Sequence, residues 1–212
     1  MIPILLVDDH SVVREGLRHI LEEGHGILCS VASSGEEAIE IISSGKLFQV
    51  VLMDISLPGI SGLEALKEIK LIRPNLAILM LSMHPEERFA VRAMRQGAAG
   101  YLSKSSPSEE IIKAVKLVAT EGRYISKRLA IHLAKNQDNP LSLPAHESLS
   151  EREFQVLCLI GAGKPPSDIA RSLSLSVKTV STLRERMMRK MNFTGSMEII
   201  RYTLQEGLLD GN

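Results

Sequence analysis

The sequence predicts an α/β protein: a doubly wound five-stranded parallel sheet followed by a second, smaller all-α domain. Over residues 1–121, five short apolar runs of β type alternate with stretches that repeat apolar residues at the helical period. A polar segment with two prolines, residues 136–148, interrupts this pattern, and only helical periodicity follows over residues 149–210. Alternation of the first kind is typical of parallel sheets that helices cover on both faces.

The first part of the chain contains five predicted β/α units. The strands are expected at residues 2–7, 26–32, 48–53, 76–82 and 99–103. The helices are expected at residues 11–23, 34–44, 61–72, 85–96 and 106–121. Glycine or proline marks many of the breaks between them. The unit has the size of a flavodoxin-like fold, in which sites form where the carboxyl ends of the strands meet the loops.

The rest of the chain divides into a linker and a helical domain. Residues 123–135 could form a helix, and residues 136–148 read as an interdomain linker. Ser150 and Glu153 form a capping box ahead of the next apolar helix. Further helices are expected at residues 165–174, 176–191 and 195–209. We therefore predict three parts, with boundaries at residues 1–121, 122–148 and 149–212.

Charge distinguishes the two domains although the chain as a whole is balanced. Lys+Arg and Asp+Glu each number 25 over the full sequence. Residues 1–121 have 12 basic and 16 acidic side chains, whereas residues 149–212 have 9 basic and 7 acidic ones. An acidic first part and a basic second part suggest two different tasks.

Cysteine usage and hydropathy indicate a cytoplasmic protein. Cys29 and Cys158 fit no metal or redox spacing, so we expect both to be reduced core residues. The N-terminus lacks the pattern of a signal peptide, and no apolar run approaches the roughly 20 residues that span a bilayer. The six histidines include no HxxxH pair, and we interpret each as a surface or packing residue rather than a zinc ligand.

Polar residues stand at the ends of four predicted strands. In strand order they are Asp8 with Asp9, then Asp54, Ser82 and Lys104. Because parallel strands present their carboxyl ends at one edge of the sheet, these groups are expected to converge. Any one of them alone is more often a loop cap or a surface residue than a ligand. Their joint order and spacing favour a site.

The residue types at this edge indicate phosphoryl chemistry. Three carboxylates and one ammonium in a crevice need a further cation, and they suit a hard divalent ion such as Mg²⁺. A carboxylate beside a bound metal can attack a phosphoryl group and form an acyl phosphate. A hydroxyl such as Ser82 could then bond a phosphoryl oxygen and pull its loop inward. No G-x-G-x-x-G follows the first strand and no G-x-x-x-x-G-K-[ST] is present, which argues against nucleotide binding.

Residues 1–121 resemble the receiver domain of a bacterial two-component response regulator. The resemblance implies that Asp54 is the phospho-accepting aspartate and that Lys104 is the family's invariant lysine. It implies a Mg²⁺ site formed by Asp8, Asp9, Asp54 and the backbone carbonyl of Ser56. Of the acidic pair, Asp9 is the one expected to bind the ion directly. Ser82 stands at the Thr/Ser switch position, and Tyr101 stands at the aromatic switch position. Taken alone, Tyr101 could equally be a packed residue of the fifth strand.

The segment 176–191 is a basic amphipathic helix. Its apolar residues recur at helical spacing, and its charged residues are five basic ones and Glu185. Alone, such a helix is usually a solvated surface element. Because it follows a shorter helix and a tight turn, the arrangement favours a helix-turn-helix whose second helix lies in the major groove of DNA. Lysine and arginine at its edges would supply phosphate contacts.

Residues 149–209 resemble the LuxR-type helix-turn-helix of the NarL/FixJ class of regulators, on the motifs LSERE, IA, LSLSVKTV and KM. The resemblance implies double-stranded DNA as a partner, and the residues we expect to contact it are Lys178, Thr179, Ser181, Thr182, Arg184 and Arg186. Glu185 could accept a hydrogen bond from a cytosine amino group, or it could pair with Arg189 one turn further on. Pro165 and Pro166 depart from the family pattern and remove amide donors at the start of the preceding helix.

Together these features predict a phosphorylation-controlled, DNA-binding transcription regulator rather than an enzyme. The phosphoryl donor would be a histidine kinase or a phosphotransfer protein, and the phosphorylated form would be a homodimer. One alternative is a phosphatase or phosphotransferase, but in such enzymes the nucleophile follows the first strand in D-x-D form, unlike the DDH here. Another is a regulator that works through protein contacts without phosphorylation.

Overall fold

The structure is a computed structural model that describes residues 1–83, 86–126, 129–130 and 144–209. The chain divides into two compact units, Met1–Asp138 and Asn139–Asn212. Most of the predicted helix at 123–135 and of the predicted linker at 136–148 lies outside the described residues. Within the described part, none of the helices has the length and apolar character needed to cross a bilayer.

The first unit is built on a five-stranded parallel sheet, as predicted. Its strands are β1 (Ile2–Val7), β2 (Ile27–Ala32), β3 (Val50–Asp54), β4 (Ala77–Ser82) and β5 (Gly100–Ser103). Their order across the sheet is β2-β1-β3-β4-β5, and all four pairings are parallel. The central strands β1, β3 and β4 therefore end side by side, flanked by β5 at one edge.

Five helices cover the two faces of this sheet. They are α1 (Ser11–Glu22), α2 (Gly35–Ser43), α3 (Gly62–Ile72), α4 (Glu86–Arg95) and α5 (Ser108–Glu121). α1 packs against α5, and α2 packs against α3, so the sheet lies between helical layers. The sequence placed each helix within about two residues of these bounds, because capping serines and glycines mark the ends. Ser61 and Glu64 form a capping box that starts α3.

The core of the first unit is aliphatic. Side chains alternate along each strand, so Ile4 and Leu6 face the α1 and α5 side together with Leu52, Leu79 and Leu81. α5 supplies Ile111, Val115 and Val118 to the same cluster. Each fully buried Val, Leu or Ile side chain stabilises the folded state by about 1.5–3 kcal/mol, and this aliphatic burial compensates for the scarcity of aromatic residues.

The two cysteines differ in their environments. Both are free thiols, and Cys158 is buried as expected. Cys29 is only partly buried, and it packs against the margin of the core cluster rather than inside it. Within the described residues, Cys29 lies on β2, an edge strand of the sheet that pairs with β1 alone. Desolvation still raises the pKa of its thiol to about 12.

Gly62 allows α3 to start directly against the end of β3. A Cβ atom at this position would lie 1.9 Å from the backbone oxygen of Asp54. The backbone N–H of Gly62 donates to the carbonyl of Ile55 at 2.9 Å, which holds the intervening loop closed. A side chain at residue 62 would therefore push α3 away from the end of β3 or displace the backbone of Asp54.

The second unit is helical, as predicted. After a 3₁₀ turn at Ala145–Ser148 it contains α6 (Glu151–Gly161), α7 (Pro166–Ser172), α8 (Val177–Met191) and α9 (Ser196–Gln205). α7 and α8 form a helix-turn-helix, with Ser174 in the turn at φ +53°. Ser150 and Glu153 form the predicted capping box of α6. Pro166 occupies the first position of α7, where its missing N–H costs no intrahelical bond.

An ion pair joins α6 to the end of α8. Lys190 Nζ donates to Glu153 Oε2 at 2.6 Å, and the same carboxylate oxygen accepts from the backbone N–H of Ser150 at 2.7 Å. Burial opposes the charged form of Glu153, but the bonds from Lys190 and Ser150 outweigh it and lower the pKa of this carboxyl. Glu153 thus caps α6 and at the same time fixes the C-terminal turn of α8.

Replacing Gly62 by alanine is expected to destabilise the chain by at least about 3 kcal/mol, because the new methyl group overlaps the backbone of Asp54. Urea denaturation of the full chain measures the change. Gly16→Ala is the matched control, because Gly16 lies on the exposed face of α1 with nothing near its Cβ position. This substitution should raise the free energy of unfolding by about 0.5–1 kcal/mol. Equal stability of Gly62→Ala and the wild type would contradict the close approach.

Lys190→Met is expected to lower the free energy of unfolding by about 1 kcal/mol at pH 7, because it removes the charged partner of the buried Glu153 carboxylate. The effect is limited to this size because Lys190 itself is partly exposed to solvent. The native pKa of Glu153 is lowered, so the stabilisation is complete above the unfolded value of about 4.3 and disappears as the pH falls through the native value. Urea denaturation of both proteins at several pH values measures this. Lys164→Met, at an exposed position, should change little. A pH-independent difference would argue against the ion pair.

Candidate functional site

Four of the predicted site residues meet at the carboxyl edge of the sheet. Asp8 directly follows β1, Asp54 ends β3, Ser82 ends β4 and Lys104 directly follows β5. Register places them at one level, since Asp54 is opposite Leu81 and Ser82 is opposite Ser103. The backbone N–H of Lys104 also donates to the carbonyl of Ser82 at 2.7 Å, which ties the ends of β4 and β5 together.

A buried ion triad forms the centre of this site. Lys104 Nζ lies 2.6 Å from Asp8 Oδ2 and 2.8 Å from Asp54 Oδ2. The side chains of Asp8, Asp54 and Lys104 are 0%, 2% and 6% exposed. Two carboxylates thus share one ammonium in a place with little access to water, which leaves the triad with an excess negative charge.

The environment opposes ionisation of Asp54. Burial raises the pKa of its carboxyl above the ordinary value, although the ammonium of Lys104 acts in the other direction. Burial also works against the ammonium of Lys104, but the carboxylates of Asp54 and Asp8 outweigh it and raise the pKa of Lys104. Lys104 therefore stays charged. The carboxylate form of Asp54 is disfavoured by burial, and any further positive charge nearby would stabilise it.

The donor atoms around the triad fit a divalent cation. Asp8, Asp9, His10 and Asp54 each offer one ligand atom, and these atoms lie within 4.8 Å of one another. Three of the four groups are carboxylates, the hard oxygen donors that Mg²⁺ prefers. Asp9 is more exposed than Asp8 or Asp54, so it faces the side from which a hydrated ion would enter.

His10 is a neighbour that the sequence reasoning did not assign to the site. Its Nδ1 atom lies 2.8 Å from Asp9 Oδ1, and its backbone N–H donates to Asp8 Oδ1 at 2.9 Å. The available signal was its position directly after the acidic pair. Its side chain is largely exposed, in agreement with the prediction of a surface or packing residue. The structure adds that His10 contacts both aspartates, Asp9 through its ring and Asp8 through its backbone.

The loop after β3 is fixed from two sides. The backbone N–H of Ser56 donates to Asp54 Oδ1 at 3.2 Å, which places Ser56 beside the central carboxylate. Glu36, at the start of α2, accepts from the backbone N–H of Ile60 at 3.0 Å. The capping box of Ser61 and Glu64 closes the loop at its far end. The site is therefore built on restrained backbone rather than on a free loop.

Ser82 and Tyr101 are both fully buried. They lie on neighbouring strands, and Tyr101 is opposite Met80 in the register of β4 and β5. α4 packs against β5, the strand that carries Tyr101. The structure thus brings Ser82 to the acidic site and Tyr101 to the core behind it, three residues before Lys104.

α8 presents a polar face with several of the predicted DNA-contacting residues. The exposed ones are Lys178, Thr179, Ser181, Thr182 and Arg186. Arg184 is only partly exposed, and its Nη2 atom donates to Ser196 Oγ at the start of α9 at 3.0 Å. Arg184 and Lys190 are therefore held by neighbouring helices of the same unit. Helical periodicity alone did not distinguish these two cations from the ones that face solvent.

Comparisons with known proteins agree with both units. Residues 4–116 match the family described as the response regulator receiver domain, and residues 147–203 match the bacterial regulatory proteins of the luxR family. The response regulator UvrY of Escherichia coli is 40% identical over 210 residues, covering 98% of this chain and 96% of UvrY. The response regulator GacA of Pseudomonas aeruginosa is 35% identical over 212 residues, covering 99% of each protein.

Solved structures show the same fold. RcsB of Salmonella enterica serovar Typhimurium, bound to the promoter rprA with a phosphomimetic, matches with a TM-score of 0.62 at 22% identity, covering 95% of this chain and 97% of that one. A LuxR-family response regulator of Aurantimonas matches with a TM-score of 0.58 at 34% identity, covering 64% of this chain and 96% of that one. With both domain families matched and relatives spanning nearly its whole length, the chain belongs to the two-component response regulators of the NarL/FixJ class, which join a receiver domain to a LuxR-type DNA-binding domain.

Proposed function

We propose that this response regulator accepts a phosphoryl group on Asp54 from a histidine kinase or a phosphotransfer protein and thereby controls its binding to promoter DNA. The observation that carries the proposal is the position of Asp54. Its buried carboxylate lies 2.8 Å from Lys104 Nζ and within a donor group that includes Asp8 and Asp9. A carboxylate in this setting is positioned as a nucleophile beside the charges that a phosphoryl group needs.

In the proposed reaction a carboxylate oxygen of Asp54 attacks the phosphorus of a phosphohistidine. A new P–O bond forms, the P–N bond breaks, and the imidazole nitrogen leaves with the electron pair and takes a proton. Lys104 offsets the negative charge on the phosphoryl oxygens from one side. Asp8, Asp9, Asp54 and the carbonyl of Ser56 would hold Mg²⁺, which would supply further positive charge to the transferring group.

We propose that Ser82 and Tyr101 transmit the change. The hydroxyl of Ser82 would bond a phosphoryl oxygen, and a shift of the strand ends would reach Tyr101 through β5. The support is that both side chains are buried on neighbouring strands and that Lys104 is bonded to the backbone of Ser82. The altered surface near α4 and β5 would then favour a homodimer, whose two-fold symmetry suits paired DNA half-sites.

We assign the parts of the chain accordingly. Residues 1–121 act as receiver, residues 122–148 as linker, and residues 149–212 as DNA-binding domain. The DNA contacts fall to Lys178, Thr179, Ser181, Thr182 and Arg186 on α8. Arg184, which the sequence also predicted as a contact, instead bonds Ser196 at the start of α9. We place the protein in the cytoplasm. It acts as a regulator and not as an enzyme, since the proposed nucleophile Asp54 ends the third strand rather than following the first.

Asp54→Asn is expected to abolish phosphorylation by a small acyl-phosphate donor in the presence of Mg²⁺, because the amide is not a nucleophile. Phosphate-affinity gel electrophoresis of the full chain measures the modified fraction. Asp168→Asn, which alters a carboxylate of the second unit, should be modified like the wild type. Unreduced modification of Asp54→Asn would refute the assignment of the acceptor. Normal gene regulation by Asp54→Asn would instead support a regulator that works without phosphorylation.

Lys178→Gln and Arg186→Gln are each expected to weaken DNA binding similarly on all sequences, because they remove phosphate contacts. Each should also reduce the slope of log affinity against log salt concentration by about 1. Fluorescence anisotropy with labelled duplexes at several salt concentrations measures both effects. Lys113→Gln, an exposed lysine of α5 in the receiver, is the control and should keep the wild-type slope. Unchanged slopes for all three variants would place the DNA contacts elsewhere.

A further inference from the structure

Glu185 lies in the middle of the exposed face of α8. Lys178, Thr182, Glu185 and Arg189 follow one another at spacings of four, three and four residues, so they form one stripe along the helix. All four are exposed, whereas Val180, Met187 and Met191 are buried. Glu185 is thus an acidic side chain, flanked by Lys178 and Arg189, on the exposed face of the helix that the proposed function places against DNA.

The carboxylate of Glu185 has no ion-pair partner in the described part of the second unit. Across the residues that the structure describes, it forms no ion pair within 4.0 Å with Arg189, although the spacing of four residues would permit one. Two other cations of the helix are engaged elsewhere, since Arg184 bonds Ser196 and Lys190 bonds Glu153. Of the two roles that the sequence left open for Glu185, the intrahelical pair is therefore not the one adopted.

A carboxylate on this surface is repelled by the DNA phosphates unless it finds a donor in the groove. The major groove offers exocyclic amino groups, and that of cytosine is the one that Glu accepts from with good geometry. Guanine presents two acceptors there, and thymine presents a carbonyl and a methyl group, so both leave the carboxylate without a partner. The basic members of the stripe, Lys178 and Arg189, can offset the repulsion by binding phosphates on either side.

We propose that Glu185 is the specificity-determining residue of α8 and accepts a hydrogen bond from a cytosine amino group in each half-site. The proposal rests on the proposed function, since it requires α8 to enter the major groove. A carboxylate at this position makes cytosine required where a neutral residue would tolerate other bases. Replacing that cytosine is expected to weaken binding by about 5- to 150-fold, the range of one good base contact.

The test is selection of binding sites from random double-stranded DNA by the full chain with beryllofluoride and Mg²⁺. The wild type should select cytosine at one position of each half-site. Glu185→Gln should select adenine there, because an amide can bond both N6 and N7 of adenine, and Glu185→Ala should show no preference. The other positions of the site should be unchanged. Glu206→Gln removes an equal charge from an exposed position after α9 and should select the wild-type site.

The possible outcomes separate the inference from the proposed function. If the wild type selects a defined site and both Glu185 variants select the same bases at every position, the inference is overturned while the DNA-binding function stands. If no protein of the set enriches any sequence, the DNA-binding function and the inference fall together. Because Glu185 is exposed and makes no ion pair within the described chain, circular dichroism of the variants should match the wild type, so lost specificity reports on DNA rather than on folding.

Discussion

The ammonium of Lys104, held between the carboxylates of Asp8 and Asp54, is the interaction on which the site depends. Burying two carboxylates without a counter-ion would carry a desolvation penalty of roughly several kcal/mol for each ion. The parallel sheet solves this by ending β1, β3 and β5 at one edge, so that the lysine reaches both acids at 2.6 and 2.8 Å. One ammonium does not balance two carboxylates, and Asp9 adds a third. The site can therefore form without a metal ion, but its excess negative charge favours the binding of a further cation.

Sequence reasoning predicted the sheet and most of the site because both follow from local patterns. Apolar runs marked the strands, and the residues at their ends had to meet once the strands were parallel. Contacts between residues distant in the chain were not predictable in this way. The bond from Lys190 to Glu153 spans 37 positions, and that from Arg184 to Ser196 joins two helices. The role of Gly62 was also missed, because it depends on how closely α3 approaches the backbone of Asp54.

These long-range contacts change how the basic helix α8 is understood. Counting charges treats every lysine and arginine as a potential phosphate ligand, but Arg184 and Lys190 fix the position of the helix within its own domain. Such bonds restrict the orientation of α8 relative to α6 and α9, and orientation decides which side chains can reach base edges. The helix thus separates residues that hold it in place from residues that face outward. Glu185 belongs to the outward group, which is why an acidic residue there bears on specificity rather than on stability.

In the proposed function, the same triad would also connect phosphorylation of Asp54 to the rest of the receiver. A phosphoryl group adds about 1.5 to 2 negative charges, and it would do so where negative charge is already in excess. Lys104 must then shift its bonds, and its backbone is tied to Ser82 by a hydrogen bond of 2.7 Å. Both strands run into a packed core in which Tyr101 is fully buried, and such interiors exchange one arrangement for another rather than deform smoothly. In the proposed function, the burial that makes Asp54 costly to ionise would thus also allow a charge change there to move β4 and β5 together.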